Sequence, residues 1–109
     1  MVIACLSLSL FIPGVGSLKG KRKVIHSLKD RIKARFNVSI AEVGDLDLWR
    51  KARLGVVAVA NDERMLNSKM DKLINYIEST GLVEPLAADL EFIHSHPEDQ
   101  SDFIGGGKD

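Results

Sequence analysis

The stretch that decides the fold is residues 2–18, which read VIACLSLSLFIPGVGSL. Leucine and serine alternate over residues 6–10, and a side-chain period of two is typical of a strand with one buried face. The Pro-Gly pair at 13–14 ends this pattern, and Ser17 is well placed to cap a helix. We therefore predict a strand over 2–12, a tight turn, and a helix that begins at residue 18.

The rest of the chain continues this alternation of strands and helices. Apolar residues three or four apart predict helices over 18–36 and 63–80. Strands are predicted over 38–43, 53–60 and 86–95, and the strand at 53–60 is apolar on both faces, which places it inside a sheet. The order predicts an α+β ferredoxin-like βαββαβ split sandwich, a four-stranded antiparallel sheet with two helices on one face. Strands one and three are expected side by side at its centre.

The predicted core follows from the periodicity. Its members are Leu18, Ile25, Leu28, Ile32 and Phe36 on helix one and Leu66, Met70, Leu73, Ile74 and Ile77 on helix two, and strand four carries Leu86, Ala88, Leu90 and Phe92 on one side. Asn61 or Asp62 is expected to cap the second helix, and Gly81 to end it.

Length and composition indicate one domain. We place it at residues 1–96 of the 109, followed by a mobile acidic and glycine-rich tail at 97–109. Cys5 is the only cysteine, so no internal disulfide forms, and a reduced, cytoplasmic setting fits. No stretch has the roughly 18 apolar residues that a membrane span needs, so no membrane partner is predicted.

Charge is distributed unevenly although the formal net charge is zero. Residues 1–36 carry eight basic side chains and one acidic one, whereas residues 62–109 carry four basic and eleven acidic ones. The eight basic residues are Lys19, Lys21, Arg22, Lys23, Lys29, Arg31, Lys33 and Arg35. A neutral protein with one basic surface usually uses that surface to meet an anion.

Helical spacing puts most of these cations on one solvated face. Lys19, Arg22, Lys23, His26, Lys29 and Lys33 fall opposite the apolar stripe, and Lys21, Arg31 and Arg35 flank its other edge. An ordinary wet face mixes signs, because like charges one turn apart cost ~0.2–0.5 kcal/mol per pair and first-turn cations oppose the helix dipole. A bound polyanion would offset both effects. We therefore favour anion binding over a merely solvated face.

Three further features carry weaker signals. Trp49 is interpreted as a lid over the open end of the core, with the alternative that it is exposed beside Arg50 and stacks on a base. The Gly14–Ser17 turn is an incomplete phosphate-binding motif, interpreted as a tight turn with a helix cap. His94 and His96 lack a clear third ligand, so no metal site is predicted. No nucleophile or carboxylate pair is placed for catalysis, so neither an enzymatic activity nor a cofactor is predicted.

Three segments together have a familiar pattern. They are Phe11-Ile12-Pro13-Gly14 with Ser17-Leu18-Lys19-x-Lys21-Arg22, then Phe36-Asn37-Val38-Ser39-x-Ala41-Glu42, then Asp47-Leu48-Trp49-x-x-Ala52-x-Leu54-Gly55. This pattern resembles the bacterial YlxP-like family, a small domain of unknown function, over about residues 1–95; Gly20 departs from it. The resemblance implies a ferredoxin-like fold and no catalytic activity. Genes of that family often lie among translation and ribosome-maturation genes, which fits an RNA-facing role.

The leading functional hypothesis is a non-enzymatic protein that binds RNA or the ribosome through phosphate contacts of the first helix. The candidate nucleic-acid-binding residues are Lys19, Lys21, Arg22, Lys23, Lys29, Lys33, Trp49 and Arg50. The alternative is a protein–protein interaction module with no nucleic-acid role, either a homodimer or a domain that docks its basic helix on an acidic partner. A third hypothesis is a small-anion-binding domain that uses the Gly14–Ser17 turn.

The face of the sheet away from the helices predicts an interface. One of the two alternating apolar sets of strand three is expected there, near Ile3, Cys5 and Val43, and exposed apolar patches of this kind usually mark interfaces. We expect a homodimer through this open face, or a cover by Phe103-Ile104 of the tail. Because strand three lacks aromatic residues, base stacking on this face, as in RNA-recognition motifs, is not expected.

Overall fold

In the computed structural model, which describes residues 1–96, strands and helices follow one another in the predicted order. The elements are β1 (Val2–Phe11), α1 (Leu18–Arg35), β2 (Ser39–Gly44), β3 (Lys51–Ala60), α2 (Glu63–Thr80) and β4 (Glu84–His94). Every predicted element is present, and no end differs from its prediction by more than two residues. The predicted tail at 97–109, including Phe103-Ile104, lies outside the described residues.

The strands form one antiparallel sheet in the order β2-β3-β1-β4. The predicted ferredoxin-like α+β fold is confirmed, with β1 and β3 at its centre. Their register pairs Leu6 with Val56 and Leu8 with Leu54. Neither helix in residues 1–96 is long and apolar enough to cross a membrane.

The core lies between the sheet and the two helices, as the leucine–serine alternation predicts. The even-numbered residues of β1 are buried, from Val2 to Leu10, whereas the odd-numbered ones stay partly exposed. The helices bury Ile25, Leu28 and Ile32 on α1 and Leu66, Met70, Leu73 and Ile77 on α2. The buried faces of the strands and of the helices thus pack together in one apolar layer, and its burial supplies most of the driving force for folding.

The helix ends are set by local hydrogen bonds. The Ser17 side chain accepts a hydrogen bond from the backbone of Gly20, and Asp62 accepts one from the backbone of Arg64, both at 3.0 Å. Gly81 ends α2 in a left-handed conformation with φ 69°, a region that glycine adopts without strain. The predicted caps are confirmed, with Asp62 rather than Asn61 at the start of α2.

β4 contains an irregularity that the alternation did not predict. Ala87 pairs with Ser9 but Pro85 pairs with Leu10, so Leu86 is an extra residue between two paired positions. Leu86 is 54% exposed, and the prediction that it shares one side of the strand with Ala88, Leu90 and Phe92 is wrong; Ala88 is exposed as well. A bulge shifts the side-chain alternation by one position, which is why the period-two pattern failed at this point.

One glycine is expected to limit stability modestly. Gly20 lies in the first turn of α1, and an added methyl group there would meet its nearest neighbour, the Ser17 hydroxyl oxygen, at 3.4 Å. We expect Gly20→Ala to raise the free energy of unfolding by about 0.5 kcal/mol, because alanine loses less backbone entropy in a helix. Urea denaturation measures this directly. A loss of stability would show that the first turn cannot accept a side chain.

Candidate nucleic-acid interface

The cationic face of α1 borders an open groove. The groove holds about 520 Å³ and is lined by Lys19, Arg22, Lys23, Ile25, His26, Lys29 and Glu42. We call it the basic groove. Helical spacing explains its composition, because positions 19, 22, 23, 26 and 29 lie on neighbouring turns of one helix face. The structure therefore brings together four of the predicted phosphate-binding residues, while Lys33 is exposed one turn farther along α1.

Lys21 is not part of the exposed surface, and its prediction as a nucleic-acid-binding residue is wrong. Its side chain is 2% exposed. The ammonium group lies 3.0 Å from Glu42 Oε2 and donates a hydrogen bond of 2.6 Å to the backbone oxygen of Asp45. A buried ammonium must be paired in this way, because burial without partners costs several kcal/mol. Lys21 thus joins α1 to β2 and to the connection that follows β2.

The partners of Lys21 are arranged by local backbone geometry. Asp45 has φ 58°, a left-handed conformation that aspartate tolerates better than most residues. Its backbone oxygen also accepts a hydrogen bond of 3.1 Å from the backbone of Leu48. Glu42 precedes it on β2, and its Oε2 atom is buried, with Lys21 as its ionic partner. The ion pair neutralises the carboxylate that lines the basic groove.

A signal for this pair was present in the sequence. The predicted stripe of α1 has a gap of seven residues between Leu18 and Ile25, and Lys21 lies four positions before Ile25, in line with the stripe. A lysine at a core position of an amphipathic helix indicates a buried ion pair. Helical spacing does not reveal that its partner would be Glu42, because that contact depends on how α1 crosses β2.

The other arginines of α1 do not line the basic groove. The Arg35 guanidinium lies over the ring of Tyr76 on α2, 4.5 Å from its centroid, in a cation–π contact. Arg31 is exposed. His26, in the groove, has its Nε2 atom 3.2 Å from Asp30 Oδ2, and both side chains are exposed. Four basic residues of α1 therefore line the groove, while Arg31 and Lys33 offer further exposed cations outside it.

The β2–β3 connection, residues 45–50, is an exposed apolar loop that we call the tryptophan loop. Leu46, Leu48 and Trp49 are 59%, 49% and 49% exposed. The prediction that Trp49 covers the core is wrong, because Ile12 is fully buried at that end of β1 and donates a backbone hydrogen bond of 2.7 Å to Arg50. Backbone pairing closes this end of the sheet, and about half of the Trp49 side chain remains exposed to solvent.

The tryptophan loop adjoins the basic groove. Residues 47–51 line an open pocket of about 420 Å³ that includes the exposed Arg50. Lys21 connects the two features, because it contacts both Glu42 of the groove and Asp45 of the loop. The half-exposed indole of Trp49 and the cations of α1 therefore lie on neighbouring parts of the surface.

The remaining candidate residues have local structural roles. Ser17 is occupied as the cap of α1, so part of the Gly14–Ser17 turn already serves the helix. His94 lies 2.7 Å from Glu63 Oε1 through its Nε2 atom, and its ring stacks near that of His96. Within residues 1–96, no three metal-ligating side chains are grouped. Glu98 and Asp99, considered as further ligands, lie outside the described residues.

The fold and the surface together define a small ferredoxin-like α+β domain with one strongly cationic helix face. Residues 3–90 match a family of proteins of unknown function, DUF503, and the chain belongs to that family. A relative is the uncharacterized protein YlxP of Bacillus subtilis (strain 168), which is 33% identical over 69 residues; these cover 63% of this chain and 75% of the relative. The resemblance to the YlxP-like family is thereby confirmed.

Proposed function

We propose that this protein is a non-enzymatic, cytoplasmic RNA-binding protein that contacts the phosphates of RNA, free or within the ribosome, through α1. The basic groove carries this proposal. Four cationic side chains, Lys19, Arg22, Lys23 and Lys29, line it, and Glu42 beside them is already paired with Lys21. Such a site offers strong attraction to an anion with little competition from the protein's own carboxylates.

The length of the cationic face favours a polyanion over a small anion. From Lys19 to Lys33 the helix rises about 21 Å at ~1.5 Å per residue. One phosphate or a small metabolite would contact only one or two of these side chains, whereas a nucleic-acid strand presents a charge at every nucleotide. The extended face therefore supports RNA over the hypothesis of a small anion at the Gly14–Ser17 turn.

The tryptophan loop supports single-stranded RNA within this class of ligand. Trp49 is half exposed, and Arg50 beside it is exposed as well. Exposed aromatic rings beside basic residues suit stacking on unpaired bases, which contributes ~1–3 kcal/mol per base. Phosphate contacts along α1 would position the strand without reading its sequence.

An acidic protein surface is the rival partner for α1. The same cations would attract carboxylates, and a helix in contact with a protein needs no stacking platform. The two partners differ in the role of Trp49 and in their dependence on salt. To distinguish the two partners, binding must be measured with one nucleic acid and one acidic polypeptide under identical conditions.

The test is a titration of the full chain with a labelled single-stranded RNA and with poly-glutamate of equal charge, at several salt concentrations. We expect the RNA to bind more tightly, with a slope of log affinity against log salt of about −0.7 per phosphate contact. Equal affinity for both polymers would assign α1 to acidic partners in general. Absence of binding to either polymer would overturn the proposal.

Trp49 provides an internal probe, since it is the only tryptophan. We expect RNA to quench its fluorescence on binding, because a base stacked on the indole quenches its excited state directly. Trp49→Phe should keep most of the affinity, whereas Trp49→Ala should lose about tenfold, equivalent to ~1.4 kcal/mol for one stacked base. Equal affinities for the two variants would exclude stacking on Trp49 and leave the phosphate contacts in place.

A further inference from the structure

The sheet face away from the helices, here called the open face, has an apolar end. Its exposed residues there are Val57 and Val59 on β3 and Ile93 on β4. They lie beside Ile3 and Cys5 of β1, because the register pairs Ile3 with both Val59 and Ile93. A row of three branched side chains thus runs across the sheet, and Val43 adds a further exposed apolar group over Gly55.

Charges at the other end of the open face are sorted by strand. Lys51 and Arg53 on β3 pair with Phe11 and Ser9 of β1, which gives a basic column. On the opposite side of β1, Glu84 and Asp89 of β4 form an acidic column, and Glu91 pairs with Cys5, next to the apolar end. All five charged side chains are exposed. The open face is therefore apolar at one end and divided into a basic and an acidic side toward the other.

We propose that a second copy of this chain occupies the open face, in a homodimer whose twofold axis lies in the interface and runs parallel to β1. This proposal goes beyond RNA binding by α1 and stands or fails independently of it. Rotation about such an axis exchanges the two sides of the sheet and keeps its two ends in place. The apolar end then meets the apolar end of the partner, and each basic column meets the partner's acidic column.

The other possible twofold axis in the interface does not fit this distribution of apolar and charged residues. A twofold axis in the interface but perpendicular to β1 exchanges the two ends and keeps the sides in place. It would put the apolar end of one copy against the charged end of the other, so that Lys51 and Arg53 would meet the partner's Val59 and Val57. Apolar burial would be lost and the charged side chains would be desolvated without partners, both of which disfavour association.

The area of the open face is sufficient for a modest interface. An axis along β1 overlaps β3, β1 and β4, which are about 4.8 Å apart and roughly ten residues long at ~3.3 Å per residue and so cover roughly 500 Å² on each copy. Two such faces bury roughly 1,000 Å², the size of weak, transient protein–protein interfaces. Sheets that pack face to face in this way keep their strands within about 30° of each other. The helices then lie on the outside, so both basic grooves remain accessible in the dimer.

Charge reversal tests the proposal on the full chain. Analytical ultracentrifugation is expected to show a dimer at high micromolar concentration. Lys51→Glu with Arg53→Glu should shift it to monomer, because the whole face becomes acidic, and high salt should reverse part of this shift. The matched control is Arg64→Glu with Lys72→Glu, which reverses two exposed charges on α2 and should leave the dimer intact.

A swapped variant tests the axis. Lys51→Glu, Arg53→Glu, Glu84→Lys and Asp89→Lys together exchange the two columns. With the axis parallel to β1, this variant should dimerise with itself and not with the wild type, as read by native mass spectrometry of a mixture. Preferential pairing with the wild type would overturn the assigned axis. A monomeric wild type, as expected if Phe103-Ile104 covers the face, or a dimer indifferent to both columns would overturn the interface.

Discussion

Replacing Lys19, Arg22, Lys23, Lys29 and Lys33 together by glutamine is expected to abolish RNA binding while the domain stays folded. None of these side chains belongs to the buried stripe of α1. Glutamine forms helices about as well as lysine or arginine, and the loss of like-charge pairs, each costing ~0.2–0.5 kcal/mol, should raise stability slightly. The fold and the binding surface are therefore separable on this helix.

The expected loss of affinity is large because the contacts act together. With five phosphate contacts removed, the slope of log affinity against log salt should flatten by about 3.5, and affinity near physiological salt should fall at least ~100-fold. Fluorescence anisotropy with labelled single-stranded RNA at several salt concentrations measures both quantities. RNA binding that survives in this variant would end the proposal that α1 is the RNA-binding surface.

A smaller pair of variants separates position from net charge. The groove variant carries Arg22→Gln, Lys23→Gln and Lys29→Gln, and the α2 variant carries Arg64→Gln, Lys69→Gln and Lys72→Gln. Both lose three cations, so long-range attraction to RNA weakens equally. The groove variant should lose much more affinity than the α2 variant, because only its cations line the basic groove. Equal losses would mean that net charge alone attracts RNA.

The second large effect is the loss of stability that we expect when Lys21 is replaced. Lys21→Met should lower the free energy of unfolding by about 3 kcal/mol, because it leaves the Glu42 carboxylate and the Asp45 carbonyl without their cationic partner. Urea denaturation followed by circular dichroism measures this loss. Lys33→Met, on the exposed side of the same helix, serves as the control and should change stability by less than ~0.5 kcal/mol.

A second variant distinguishes loss of the ion pair from loss of packing. Lys21→Met combined with Glu42→Leu removes both charges, and buried ion pairs replaced by apolar residues usually cost little. We expect this double variant to recover most of the stability. If Lys21→Met alone is as stable as the wild type, the ion pair does not stabilise the junction of α1 and β2. Failure of the double variant to recover would indicate that the loss arises from packing.

Much of the candidate site could be predicted because it lies on one helix. Lys19, Arg22, Lys23 and Lys29 share a face through spacing alone, and neighbours on a helix are neighbours in sequence. Glu42 could not be found in this way, since it enters the groove from β2. The position of Trp49 also escaped prediction, because it depends on how the β2–β3 connection meets the end of β1, where Ile12 donates a backbone hydrogen bond to Arg50.

The sequence by itself determined the order and approximate bounds of the elements, the caps at Ser17 and at Asn61 or Asp62, and the cationic face of α1. These properties depend on residues within a few positions of one another, where side-chain period and hydrogen-bond reach decide the outcome. Only the tertiary structure decided that Lys21 is buried, since its hydrogen-bond partner Asp45 lies 24 residues away. The same holds for the charged columns of the open face, because strand register alone places Lys51 and Glu84 on opposite sides of Phe11. Contacts between distant segments depend on how helices cross strands and how strands align, and no local pattern specifies either.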